Sequence, residues 1–329
     1  MLILEFMHRY IIAAAAIFVP MLTGCYSDID LDRYRDKDIE ERLVLNSILM
    51  PDSLVRVVAT HPYFFADQHH DPSYEKGLDL RLSVNGVDAG NMTYDNTRDC
   101  YLADVTPEEG DVVEIRTLWK GKTVEARDTM PQKIRIENFT ATIDGPFTIH
   151  QPNSWLIEYN ITFTDPEEEE NFYFLSFGGR FRGEFLLDGE RLYKNEFVFQ
   201  VLAEIMNSTV PGWEPYSLTG LPFSDKGIEG KRHTLHVGEI LPFVWNPDDY
   251  VGREREVTLY SISRAYYNFL LSLLANDPED DSIHGSFLGF GLLEPDGLYS
   301  NVNGGTGIIG SCVKEGATAL ITRKRPSAK

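Results

Sequence analysis

From Leu78 to Val84 apolar and polar side chains alternate without a break. Leu78, Leu80, Leu82 and Val84 stand against Asp79, Arg81 and Ser83. A period of two puts the apolar residues on one face of a strand and the polar ones on the other. Asn85-Gly86 follows at once, and this dipeptide supplies the positive φ of a tight hairpin turn. Such a run is half-buried, so a second apolar layer must cover it.

The neighbouring sequence repeats the pattern. Leu43-Val44-Leu45, Val55–Val58, Val112–Arg116 and Thr123–Ala126 are rich in β-branched residues, with turn signals at Glu109-Gly110 and Lys120-Gly121. Short strands with regular turns argue a small β-sandwich. Met130-Pro131 marks its end, since proline cannot donate to a ladder. A second β-rich region follows, with strands expected at Trp155–Phe163, Phe172–Phe177, His233–Val237 and Val257–Ile262, and a hairpin at Leu186–Leu192. One helix stands out there. Ser263 is its expected N-cap, and Ala265, Tyr266, Phe269, Leu270, Leu273 and Leu274 fall on one face. Asn276-Asp277-Pro278 stops it. The expected fold class is mainly β: an N-terminal Ig-like or transthyretin-like β-sandwich, then a second β-rich domain with one amphipathic helix. The expected boundaries are 42–131 and 132–329.

The first 41 residues are of another kind. Tyr10–Leu22 is an apolar run behind His8 and Arg9, too short to span a bilayer comfortably, and it reads as a signal peptide over residues 1–24. Met7 makes the more ordinary start. Leu22-Thr23-Gly24-Cys25 resembles the bacterial lipobox. Small residues give the signal peptidase access between Gly24 and Cys25, and the Cys25 thiol is the nucleophile that takes a diacylglyceryl group. Residues 25–41 form an acidic tether, with Asp28, Asp30 and Asp32 close to the lipid. That placement resembles the signal sending Bacteroidota lipoproteins to the outer face of the outer membrane.

The chain has 329 residues, 43% hydrophobic, enough to bury a real core. Its formal net charge of -21 repels phosphate backbones and argues against nucleic-acid partners. Of three cysteines, Cys25 is assigned to lipid. Cys100 and Cys312 can pair in an oxidising compartment or stand as two buried thiols; their wide separation favours the second.

Three blocks of the second region carry a resemblance. They are Phe223-Ser224-Asp225-Lys226-Gly227-Ile228-Glu229-Gly230, then Val257 to Tyr267 (VTLYSISRAYY), then Glu294 to Gly310 (EPDGLYSNVNGGTGIIG). In this order, behind a lipobox and a sandwich, they look like a Bacteroidota lipoprotein family catalogued as domain of unknown function 4249. The resemblance implies an outer-membrane, surface-exposed lipoprotein and an accessory role beside a TonB-dependent receptor. It brings no catalytic residue and no cofactor.

Candidate sites are few. Asn303-Gly304-Gly305-Thr306-Gly307 lacks the Gly-Lys-Ser/Thr of a phosphate loop, and a backbone needing positive φ explains its glycines better. His61, Asp67, His69, His70 and Asp71 cluster in types that can hold a metal, but the spacing fits a solvated loop and no metal is expected. Asp165 with Glu167–Glu170, and Asp277 with Glu279–Asp281, lack the calcium-loop spacing. Trp213 and Tyr216, in a poorly patterned stretch, are the candidate binding loop. Gly-x-Ser-x-Gly and His-Glu-x-x-His are absent. The expected protein is therefore a non-catalytic lipoprotein that binds a ligand or a TonB-dependent receptor. The alternatives are an adhesin or pilus-associated structural lipoprotein, and a surface hydrolase using dispersed carboxylates.

Overall fold

The computed structural model describes residues 41–62, 73–147, 154–167, 169–178, 185–187, 190–192, 219–241, 247–275 and 297–324. Glu41–Pro62 and Asp71–Lys329 belong to one compact unit, and the account below is of that unit. The protein is mainly β, with one helix among the described residues.

The first strands are β1 (Val44–Leu49), β2 (Arg56–His61), β3 (Ser73–Tyr74), β4 (Arg81–Val84), β5 (Val87–Asn91), β6 (Thr93–Asp95), β7 (Cys100–Leu102), β8 (Val112–Trp119) and β9 (Lys122–Thr129). Then come β10 (Ile136–Phe147), β11 (Ser154–Thr164), β12 (Phe172–Gly178), β13 (Phe185–Leu187), β14 (Glu190–Leu192), β15 (Thr219–Ser224), β16 (Arg232–Leu241) and β17 (Glu254–Ile262). Helix α1 (Arg264–Ala275), β18 (Val302–Asn303) and β19 (Thr306–Arg323) complete the unit.

The turn chemistry does what the dipeptides require. Asn85 and Gly86 have φ of 54° and 76° between β4 and β5. Lys120 and Gly121, at 47° and 79°, do the same between β8 and β9. Two successive positive φ values make the type I′ turn that matches strand twist. Strand β4 is shorter than the alternation that announced it, but burial alternates from Asp79 to Leu82, with Leu80 and Leu82 buried and Asp79 and Arg81 exposed.

Strands β18, β9, β8, β4 and β5 form one sheet in that order. Across from it lie β1, β2 and β7 of the larger sheet. Leu45 and Val57 from one layer meet Leu82, Ile115 and Val124 from the other in a common apolar core. A second core lies between β11 and the β12–β17 layer, where Ile157, Tyr159, Ile161 and Phe163 face Tyr173, Leu175, Val257 and Leu259. Ile157, Tyr159, Ile161 and Phe163 point inward at every second position, as period two demands.

Strand β19 joins these layers. Thr306–Ser311 pairs in parallel with β1, Cys312–Leu320 runs antiparallel to β17, and Ile321–Arg323 lies parallel to β10. Its stretch from Ile308 to Val313 is buried on both faces. Ile309 and Val313 enter the first core, while Ile308 and Cys312 face the helix.

Helix α1 starts as its sequence predicts: Ser263 Oγ accepts the Tyr266 amide at 3.2 Å, the bond of an N-cap. Its apolar stripe packs on the outer face of β12 and β17, at Phe172, Phe174, Tyr260 and Ile262, and on Ile48 of β1 and Met50 just after that strand. Leu270, at the centre of this cluster, is fully buried. Leu270→Ala is expected to cost about 2–5 kcal/mol, read as a lower denaturant midpoint at unchanged slope.

Cys100 and Cys312 are free and buried. Burial pushes the Cys312 thiol up to about 12, so it stays a protonated, inert core group. Ser47 is fully buried on β1, and its hydroxyl has no hydrogen-bond partner. An orphaned hydroxyl costs about 1–3 kcal/mol of desolvation. Ser47→Ala is therefore expected to leave stability unchanged or raise it, and a lower melting temperature in the variant would contradict the assignment.

Candidate functional site

The glycine-rich segment is a piece of architecture. Gly304 and Gly307 have φ of +71° and +108°. A Cβ on Gly304 would overlap the Thr123 carbonyl oxygen, and one on Gly307 would overlap that of Leu45. The segment thus passes where side chains do not fit, against β9 and β1. Asn301 clamps its far side: its Oδ1 accepts the Ile309 amide at 3.0 Å and its Nδ2 donates to the Ile309 carbonyl at 2.8 Å. A side-chain amide here replaces a neighbouring strand. Asn46 Oδ1 accepts the next amide, Ile308, at 3.1 Å.

Of the histidine-rich cluster, His61 is described; Asp67, His69, His70 and Asp71 lie outside the described residues. His61 closes β2, and β3 returns against it, with His61 opposite Ser73. His61 Nε2 stands 2.7 Å from Glu75 Oε2. The same oxygen accepts the Trp119 indole N–H at 3.1 Å, and the two rings lie 5.6 Å apart. Glu75 is fixed through its backbone as well. Its amide donates to the Ala59 carbonyl at 2.9 Å, and its carbonyl accepts the Tyr101 hydroxyl at 3.1 Å. Lys120 lies 4.7 Å over the indole and pairs with Glu41. Trp119 is buried, so it offers no open face for stacking a ligand. The arrangement is a partly exposed imidazole–carboxylate pair held where β2 meets β3. Among the described residues no group of three or more potential ligands could hold a metal ion.

The first acidic run resolves into hydrogen bonds. Asp165 accepts the Tyr173 hydroxyl and, at 3.0 Å, the Gly230 amide. Asp225 accepts the Asn171 amide at 2.6 Å. Both carboxylates are buried, and burial raises Asp165 above the usual carboxylate range. The two aspartates pin the turn between β15 and β16 onto the turn between β11 and β12. Glu167 and Glu169 are exposed, and Glu170 reaches Arg264 at 2.5 Å. The second run, Asp277 with Glu279–Asp281, lies outside the described residues, as do Gly24, Cys25, Trp213 and Tyr216.

The family model described as "Domain of unknown function (DUF4249)" matches residues 28–316. The chain belongs to this family. The DUF4249 match begins three residues after Cys25, and it takes in all three of the sequence blocks 223–230, 257–267 and 294–310. No curated protein matches the chain. A crystal structure of a Corynebacterium diphtheriae protein, provisionally described as membrane anchored, is similar at 8% identity and a TM-score of 0.19. The match covers 68% of this chain and 54% of that one, so the chain spans about half the length of its neighbour.

One further constellation of this DUF4249 chain was invisible to pattern reading. Asp128, next to last on β9, is buried against β19. Its Oδ2 lies 2.7 Å from Ser311 Oγ, and the N-cap hydroxyl of Ser263 also hydrogen-bonds it. A carboxylate of β9, a hydroxyl of β19 and the cap of α1 thereby meet at one point. A lone acid in a β-rich run gives no signal of burial, so only the fold reveals it.

Proposed function

We propose that the protein is a Bacteroidota outer-membrane lipoprotein, held by acyl chains on Cys25 and exposed at the cell surface. In this reading it is a non-catalytic accessory or binding subunit of a TonB-dependent uptake system. The observation that carries it is Leu22-Thr23-Gly24-Cys25 at the end of a short apolar run. The acidic residues Asp28, Asp30 and Asp32 support the outward orientation. No helix among the described residues is long and apolar enough to cross a membrane, which fits a body hung from a lipid. Residues 42–131 we read as a sandwich of Ig-like or transthyretin-like layout.

The interior acids described above are engaged with backbone amides, a phenol and serine hydroxyls. That use of carboxylates favours a binding protein over the hydrolase alternative. The adhesin alternative needs an open sheet edge. The outer strand of the smaller sheet, β5, instead carries a register irregularity opposite Leu82 and Ser83, with Gly90 at φ 95°. Bulged edges of this kind resist strand addition.

Affinity recovery of the tagged full-length protein from native membranes, in mild detergent, tests the reading. The expected result is co-recovery of an outer-membrane transporter. Recovery of fimbrial subunits, or of no outer-membrane partner and no ligand, would overturn it.

A further inference from the structure

Glu41, where the described residues begin, pairs with Lys120 in the turn between β8 and β9. Contacts run on from there across one end of the first sandwich. Lys120 lies over Trp119, Trp119 donates to Glu75, Glu75 meets His61, and Lys76 meets Asp99 at 3.2 Å. The start of β1, the end of β2 and the turns after β6 and β8 therefore share one surface, the end from which residues 25–41 lead to Cys25. Strand β8 is eight residues long, so the opposite end lies about 25 Å away.

The two ends carry different charge. Among the described residues, the bases at the tether end are Arg42, Lys76, Arg98, Lys120 and Lys122. The acids there are Glu41, Glu75, Asp95 and Asp99, and the Asp79–Arg81 pair beside them adds no net charge. Bases outnumber acids at this end, in a chain whose formal net charge is -21. The opposite end is made of the turns after β1, β4 and β7. Asp52, Asp104, Glu108, Glu109 and Asp111 stand there, against Lys133 and Lys314.

An anionic bilayer turns a negative body until its least negative end faces the lipid. Salt screens that field within about 8 Å, so the orienting end has to be held close. Residues 25–41 keep it close, since they span at most about 55 Å even when fully extended. Their own carboxylates accompany the anchor in every orientation and do not choose among them. We infer that, given the acyl anchor proposed for Cys25, this end of the sandwich rests on an anionic phospholipid surface, with Lys120, Lys122 and Leu118 against the headgroups. Leu118, beside the turn, is 67% exposed, and an apolar side chain among lysines suits the headgroup boundary. Strand β19 starts at this end with Thr306 and runs away from it into both cores. The second core and α1 thus stand off the membrane.

The test uses the full-length acylated protein in vesicles of phosphatidylcholine and phosphatidylglycerol that carry nitroxide on their headgroups. A fluorophore is placed by Thr123→Cys at the tether end or by Val87→Cys at the opposite one; both sites are exposed, and the buried Cys100 and Cys312 stay unlabelled. Quenching is expected to be several-fold stronger at position 123 than at 87. Adding Lys120→Glu and Lys122→Glu is expected to bring the two signals together. Equal quenching at the two sites of the unchanged surface, or a signal at 123 indifferent to the two glutamates, would overturn the orientation while leaving the anchor standing. Protein that does not float with the vesicles at all would overturn the anchor, and the orientation with it.

Discussion

Gly307→Ala is expected to remove a large share of the folding stability. The residue sits at φ +108°, where an L side chain costs about 1–3 kcal/mol by itself. The added methyl would also collide with the Leu45 carbonyl and lie 2.9 Å from Asn46 Oδ1. Neither atom can retreat. Leu45 pairs with Gly307 in the ladder and its side chain fills the first core. Asn46 Oδ1 is committed to the Ile308 amide. Overpacking of this kind adds about 1–3 kcal/mol or more, against a total stability of about 5–15 kcal/mol. Gly86→Ala is the control. Gly86 has φ +76° but nothing within 4 Å of the new methyl, so it loses about 1–3 kcal/mol of conformational strain and still folds. Soluble yield and circular dichroism melts of the two variants separate the cases. A Gly307→Ala protein melting within two or three degrees of the Gly86→Ala protein would show that the close approach is not a constraint.

The second large effect rests on the proposed anchor. Cys25→Ala is expected to move the protein wholly from the membrane fraction to the soluble one. Each buried methylene of an acyl chain contributes about 0.8 kcal/mol, and two chains hold where one is marginal. The acidic tether offers no electrostatic substitute, since it is repelled by anionic headgroups. Palmitate labelling with fractionation after a high-salt wash reads the result. A Cys25→Ala protein still sedimenting with membranes would mean that something else holds it there.

Much of the fold was legible because local chemistry and global packing agree. Asn85-Gly86 announced a hairpin and occupies both positive-φ positions of one. Ser263 announced a cap and makes its bond. Strand β19 was not legible as an element for a physical reason. Ile308 to Val313 is buried on both faces, so its sequence lacks the alternation by which a half-buried strand is recognised. The sites were harder. His61 and Glu75 are brought together by the pairing of β3 with β2, and Asp128 meets Ser311 over 183 positions. No spacing rule reaches so far. The first acidic run and the glycine-rich block were visible as blocks, but that they serve the backbone was decided by what their atoms touch.

The pairing of β1 with β19 has a consequence for biogenesis. Asn46 and Ile308, bonded in that ladder, are 262 positions apart. A chain made from its amino end delivers β1 early and its ladder partner 262 positions later. Until then the first sandwich lacks Ile309 and Val313 and shows an open strand edge, a state prone to pairing with the wrong partner. The first sandwich therefore cannot close until β19 has been added, and folding from the amino end waits on that strand.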